Sequence, residues 1–284
     1  MRTLIDGDVL RYELGNVANS VDIHFGQKVL RPWERSRVED LVEKRIETIV
    51  RRTDATGYEV FLSAGSNYRY DIAKTHPYKG QRTESKPHHW STIGEILVQE
   101  CGAYTVHGAE ADDVLSLFAR QAPDETCIAS RDKDLRIVPC WQYSWRCGES
   151  QPEIVMHKVD ALGTIEARPR PSGGYKLVGE GLKFFYGQVI CGDDIDNYKG
   201  CPGVGPQGAM AALYGCSSEE ELWEATYWVF AKKLGPERGY ELLLENARLA
   251  WLLDDAEVKE DGDQLFVTPR ALWEPPSAIP NGFR

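Results

Sequence analysis

No stretch of the 284 residues approaches the roughly 18 consecutive apolar side chains that a membrane-spanning helix needs, so none is expected. An apolar leader is missing too. Met1-Arg2-Thr3-Leu4-Ile5 runs straight into Asp6, which argues against a signal peptide and for a cytoplasmic protein. The seven cysteines (101, 127, 140, 147, 191, 201 and 216) include no CxxC pair and are odd in number. That disfavours a zinc site and a disulfide framework and leaves reduced thiols. With 26 glycines and 15 prolines, the chain is neither low-complexity nor collagen-like. Net positive charge is also lacking: 33 Lys and Arg face 44 Asp and Glu, for a formal charge of −11, which taken whole speaks against nucleic acid as a partner.

What is present is the balance of a globular chain, 42% hydrophobic and 27% charged, long enough for one large α/β domain or two smaller ones. The acidity is uneven: residues 217–284 carry 14 acids and 7 bases, whereas residues 1–216 carry 30 and 26. Met1–Ile5 reads as a buried strand. Val38, Leu41, Val42, Ile46, Ile49 and Val50 recur at helical spacing over 38–52. Glu59–Ser63 reads as a second strand. Residues 66–90 lack a period and read as a mobile basic loop or irregular helical segment. Ser91 is placed to cap a helix through Glu100, stopped by Gly102. Ala103–Val106 reads as a strand, Glu110–Gln121 as a helix and Thr126–Ser130 as a strand. This alternation predicts a mostly parallel sheet flanked by helices. Residues 140–180, aromatic and rich in Gly and Pro, read as antiparallel or irregular: an aromatic-packed excursion or an insertion that contacts a ligand. From Leu182 the chain reads as mainly helical, with one late strand at Gln264–Val267.

Three acidic groups fall where such a sheet would converge. Asp6 follows the run Leu4-Ile5. Asp132 and Asp134 follow Cys127–Ser130. Glu110, Asp112 and Asp113 open a helix just after a strand. Carboxyl ends of parallel strands line the ligand crevice. Helix capping accounts for one or two of these acids but poorly for six at one mouth. A cluster of this kind repels itself unless cations neutralise it, and hard oxygen donors without His or Cys suit Mg²⁺ or Mn²⁺. Two such ions about 4 Å apart can activate water and stabilise a leaving oxygen. A further group, Asp193, Asp194 and Asp196, precedes Gly203-Val204-Gly205, a turn of the kind that offers backbone N–H groups to a phosphate.

The order Ile5-Asp6-Gly7, Tyr78-Lys79-Gly80-Gln81-Arg82, Glu110-Ala111-Asp112-Asp113, Asp132-Lys133-Asp134 and Gly192-Asp193-x-x-Asp196-Asn197, then Gly203-Val204-Gly205, resembles the flap-endonuclease (5′-nuclease) superfamily. The likeness is greatest to the small 5′→3′ exonucleases of T7-like bacteriophages. It implies a PIN-like nuclease core over residues 1–181 with an arch-like basic segment at 66–90. It also implies a helical region over 182–284 with a helix–three-turn–helix (helix-hairpin-helix) element at about 182–215. Asp6, Glu110, Asp112 and Asp132 would hold one Mg²⁺ or Mn²⁺, Asp134, Asp193 and Asp196 a second, and Asp113 would support the site from its edge. Lys79 and Arg82 would contact the scissile phosphate, with Arg69 as a third contact and Lys86 beside them on the DNA. Tyr78 would stack on a terminal base or pack the loop base. Gly203, Val204 and Gly205 would bind the duplex backbone, with K⁺ at that turn. Asp8 and Asp194 adjoin motif positions without matching them and read as surface or supporting acids. Only 27 residues separate strand 59–63 from helix 91–100, a short span for the closed arch of larger relatives.

The implied activity is a monomeric, two-metal 5′→3′ exonuclease on duplex DNA with 5′ ends, nicks or flaps. Flap cleavage and RNase H action on RNA–DNA hybrids would accompany it, in phage DNA replication, primer removal or host DNA degradation. Two rivals are a PIN-type endoribonuclease and a non-catalytic protein that holds DNA ends. The charge objection also weakens: eight of the acids in residues 1–216 are motif positions, and without them that region would carry +4.

Overall fold

In the computed structural model, which describes residues 1–24, 27–82 and 85–280, the run Leu4-Ile5 is fully buried. It lies in β1 (Arg2–Asp6), near the middle of an eight-stranded sheet. Asp6 ends the strand and caps α1 (Gly7–Leu14), its Oδ1 accepting from the Val9 backbone N–H at 3.0 Å. Glycine is required next: a Cβ on Gly7 would come within 2.8 Å of the Phe61 carbonyl oxygen. A two-stranded hairpin, β2 (Ala18–His24) and β3 (Gln27–Pro32), precedes the amphipathic helix α2 (Arg35–Arg52).

β4 (Gly57–Asn67) runs past the expected Ser63 and leads into α3 (Arg69–Ile72). α4 (Trp90–Cys101) starts one residue earlier than expected, with His89 at its cap, so Ser91 lies inside the first turn. Gly102, at φ 63°, stops it as the spacing predicts. β5 (Tyr104–Gly108), α5 (Ala111–Gln121) and β6 (Thr126–Ala129) complete the alternation.

β7 (Trp141–Ser144) pairs parallel with β6, and β8 (Ile154–Lys158) closes that edge antiparallel. β9 (Thr164–Pro169) and β10 (Tyr175–Glu180) form a separate hairpin. Trp145, in the aromatic stretch, is 2% exposed and joins the core, which favours packing there.

α6 (Gly181–Cys191), the short strands β11 (Gly192–Asp193) and β12 (Tyr198–Lys199), and α7 (Pro206–Leu213) follow. α8 (Glu219–Leu234) and α9 (Pro236–Ala250) pack as a pair. The chain then differs from the expectation of a mainly helical end. β13 (Ala256–Asp261) and β14 (Gln264–Pro269) form a hairpin, and β14 pairs parallel with β5.

The sheet order is β13-β14-β5-β4-β1-β6-β7-β8, with its six inner strands parallel. One apolar layer, beneath α1, α2 and α4, covers one face; a larger one beneath α5 through α9 covers the other. Because the inner strands are parallel, the carboxyl ends of β1, β4, β5 and β6 share one edge, where Asp6, Ser63, Glu110 and Asp132 meet. No described helix is long and apolar enough to cross a membrane, and all seven cysteines are free.

Candidate active site

Hydrogen bonds run along the strand ends. Ser130, just beyond β6, donates from Oγ to Asp6 Oδ2 at 2.6 Å and accepts from the Asp132 backbone N–H at 2.9 Å. Asp132 Oδ1 in turn accepts from the Asp134 N–H at 2.8 Å. One hydroxyl thus fixes two strands' acids relative to each other. Ser130 reads in sequence as the last strand residue, and only its place between the two Asp groups hints at this role.

A cavity of about 410 Å³ opens at this edge, lined by Glu110, Asp112, Asp132, Asp134, Asp193 and Asp196 together with Lys79, Arg82, Arg131 and Lys133. Asp6 lies beneath, 1% exposed. Asp193 reaches the cavity because its Oδ1 accepts from the N–H groups of Ile195 (2.7 Å) and Asp196 (3.1 Å), folding the chain into a tight turn. Asn197 continues that turn at φ 62°, a region asparagine tolerates.

The electrostatics are those of crowded acids. Burial, reinforced by Asp8, pushes Asp6 up to about 7. Burial and Asp134 raise Asp132 to about 6. Burial, then Asp6, Asp132 and Glu110, raise Asp112 well above the carboxylate range. Asp196 rises to about 6, chiefly by burial. Burial also disfavours the charge on Glu110 and Asp193, but cations prevail and hold both low: Arg69 and Lys79 on Glu110, Lys133 on Asp193.

Lys133 bridges Asp134 (2.7 Å) and Asp193 (2.6 Å), while Lys79 bonds Glu110 and lies 3.8 Å from Asp196. The ammonium groups therefore sit where cations are needed, and no three described carboxylates are drawn into one coordination sphere. The donor set is all oxygen and fits hard divalent ions in kind.

These shifts carry a sign. A carboxyl group that holds its proton more tightly folded than unfolded makes the native state bind more protons between about pH 4 and 7, so stability falls as pH rises through that window. Glu110 and Asp193 are ionised in both states above pH 5 and do not contribute there. His89, lowered by burial, opposes as one group against these four and the likewise raised Asp8 and Glu219. In EDTA the denaturant midpoint is expected to be higher at pH 5.5 than at pH 8. A midpoint that climbs steadily across that range would contradict the crowding.

The segment before α4 is stitched down rather than loose. Glu245 Oε1 accepts from the Lys74 and Thr75 N–H groups, both at 2.8 Å. Asn197 Nδ2 donates to the Pro77 carbonyl at 2.9 Å, and Lys79 N–H donates to the Asp196 carbonyl at 3.0 Å. Lys79 itself stands at φ 54°, a left-handed conformation that costs a non-glycine residue roughly 1 kcal/mol or more. Its ammonium is aimed into the pit at that expense. Thr83 and Glu84, within the expected basic segment, lie outside the described residues. So do residues 281–284, at the end of the expected helical region.

In sequence, the chain is 28% identical over 172 residues to a 5′-3′ exonuclease of Mycoplasmopsis pulmonis, covering 58% of this chain and 52% of that protein. It is also 28% identical over 230 residues to DNA polymerase I of Chloroflexus aurantiacus, covering 72% of this chain and 23% of the polymerase. The chain thus spans about half the length of the first relative and under a quarter of the second. In fold, it superposes on the flap endonuclease of bacteriophage T5 in complex with DNA and metal ions, with a TM-score of 0.57, 15% identity and 88% coverage of both chains. A zinc-bound T5 5′-exonuclease gives 0.56 at 16% identity, covering 88% of this chain and 93% of that one. The chain thus resembles 5′-3′ exonucleases in part of its sequence and shares the fold of the T5 5′-exonuclease. No protein-family profile matches it.

Against the 5′-nuclease expectation, two residues need correction and a third takes one of its two readings. Asp113 is not at the metal edge. It is 0% exposed and takes both terminal nitrogens of Arg69 at 2.6 and 2.7 Å, and it also accepts from the backbone N–H groups of Glu110 (3.0 Å) and Leu253 (3.2 Å). Capping, the ordinary use of an acid at a helix start, claims it. Arg69 is 2% exposed and donates further to the carbonyls of Leu249 and Trp251, so it offers nothing to DNA. Tyr78 is 3% exposed, its hydroxyl on Glu110 at 2.8 Å and its ring edge-on to Tyr70, which favours the second of its two readings, packing of the loop base.

The remaining positions divide between the pit and the surface. Lys86 is exposed beside the Trp90 ring, outside the pit. Asp194 is a surface acid paired with Lys199. Asp8 supports the site, accepting the Ser63 N–H at 3.0 Å. Gly203 (φ 72°), Val204 and Gly205 form a surface turn into α7, with Gly205 at its cap.

Proposed function

We propose that this protein is a 5′-nuclease, a metal-dependent hydrolase that cuts phosphodiester bonds at or near the 5′ ends of duplex DNA. The observation that carries the proposal is the pit itself: six carboxylates at the carboxyl edge of a parallel sheet, facing Lys79 and Arg82. Asp6, Glu110, Asp112 and Asp132 are the residues to hold one Mg²⁺ or Mn²⁺, and Asp134, Asp193 and Asp196 a second. When bound, such ions would supply an activated water and stabilise the leaving oxygen. The protein's own groups do the rest. Ser130 keeps Asp6 and Asp132 in register. Lys79 and Arg82, which in the metal-free protein lie against Glu110 and Asp196, would be the groups that face the phosphate and offset its growing charge.

The Gly203–Gly205 turn supplies the helix–three-turn–helix grip on the duplex backbone, with K⁺ as its ion, and the protein acts as a monomer. Flap cleavage and RNase H action on RNA–DNA hybrids belong to the same reading, as does a role in phage DNA replication, primer removal or host DNA degradation.

Protons compete with metal for the raised acids. On going from pH 7.5 to 5.5, the Mn²⁺ concentration that half-saturates the protein, read by thermal shift, is expected to rise at least ~10-fold. A pH-independent value would count against these ligands. The reading as a whole is tested by a panel of 5′-labelled blunt, nicked, gapped and flapped duplexes beside single-stranded RNA. Preferred release of label from duplex ends supports it; preferred cutting of unpaired RNA favours a PIN-type endoribonuclease. Metal and duplex binding without cleavage would leave a protein that only holds DNA ends.

A further inference from the structure

Five basic side chains line the pit: Arg69, Lys79, Arg82, Arg131 and Lys133. Four are committed to carboxylates. Arg69 pairs with Asp113, Lys79 with Glu110, Arg82 with Asp196 at 3.5 Å, and Lys133 with Asp134 and Asp193. Arg131 differs. Among the described residues no carboxylate oxygen lies within 4 Å of its guanidinium, although its chain neighbour is Asp132.

Neutral acceptors hold it instead. Arg131 Nη1 donates to the Trp145 carbonyl at 2.5 Å and to the Pro152 carbonyl at 2.9 Å, both in the loop between β7 and β8. The Nε is buried with no hydrogen-bond partner. Gln151, from the same loop, also lines the cavity. A guanidinium fixed by carbonyl dipoles, with no carboxylate paired to it, has donors left over, and an anion is the ligand that takes them.

We propose that Arg131 is a phosphate-binding residue that receives the sugar-phosphate backbone of the nucleic-acid strand entering the pit, and that the loop carrying Trp145 and Pro152 serves to aim it. This rests on the nuclease reading and adds to it a contact that Lys79 and Arg82 do not provide. It also gives the stretch after β7 a use: two of its carbonyls orient a cation at the site.

Binding tests the proposal apart from cleavage. The anisotropy of a dye-labelled duplex is measured in Ca²⁺, which neutralises the carboxylates through the same oxygens, at several KCl concentrations. Arg131→Gln keeps a donor for the loop carbonyls and removes the charge; Arg131→Lys keeps the charge. The expected result is a Kd about 5- to 10-fold weaker for Arg131→Gln, a salt slope lower by about 1, and substantial recovery in Arg131→Lys. Wild-type Kd and slope in Arg131→Gln would overturn the proposal. So would equal weakening of both variants with an unchanged slope and a lowered Tm, since that marks Arg131 as a tie for the loop only. A wild-type protein that binds the duplex with the full slope yet releases no label in Mg²⁺ would sink the nuclease reading while leaving this contact standing.

Discussion

Asp132→Asn is expected to lower kcat on a 5′-labelled duplex by at least ~10³-fold while leaving duplex affinity within about threefold. The substitution keeps the shape and the oxygen that accepts the Asp134 N–H, so the turn after β6 should hold. It removes the charge that would fix a divalent ion, and a metal's share of transition-state stabilisation is several kcal/mol, each ~1.4 kcal/mol being tenfold in rate. A second readout separates function from folding. Asp132 is held at about 6 by burial and Asp134, so its charge costs the metal-free protein stability at pH 8. The variant is therefore expected to be more stable than wild type in EDTA, while binding Mn²⁺ more weakly. A variant that is inactive and also less stable in EDTA would point to a damaged scaffold, and one that cleaves at the wild-type rate would remove Asp132 from the site.

Arg69→Ala should have the largest effect on the fold. The guanidinium is buried and makes four hydrogen bonds: two to Asp113 and one each to the Leu249 and Trp251 carbonyls. Its loss leaves an uncompensated carboxylate and two bare carbonyls in the core, a change that costs about 3–5 kcal/mol. For a chain of this size that corresponds to a Tm lower by roughly 5–8 °C. Arg69→Lys is expected to recover little, because an ammonium cannot supply the bidentate fork. Calorimetry decides between this and a surface role: a DNA contact would weaken binding with Tm unchanged.

These two residues mark what the sequence did and did not disclose. The strand-end acids were legible because parallel topology alone places the ends of β1, β5 and β6 on one edge, and alternating strands and helices announce that topology. Asp113 was ambiguous, since an acid in a first helical turn serves equally as cap and as ligand, and only burial decides. Arg69 looked like its basic neighbours, because a row of Lys and Arg does not say which guanidinium turns inward. Its two flanking tyrosines and the following Asp71 were the available signs of a packed rather than solvated position. The hairpin β13–β14 was half seen. Its first strand alternates apolar Ala256 and Val258 with charged residues, and the two-residue Gly262-Asp263 loop signals a hairpin, but charge masked the strand. Ser130 and Arg131 carry no motif at all. What each does depends on contacts far along the chain, Asp6 for the one and Trp145 for the other.

The most direct test of the central claim compares 5′- and 3′-labelled copies of one blunt duplex, incubated with the protein in Mg²⁺ and in EDTA. The pit of carboxylates predicts early release of short 5′-labelled products in Mg²⁺, slower loss of the 3′ label, and no release in EDTA. Release that persists in EDTA, or a 3′ label lost first, would contradict it.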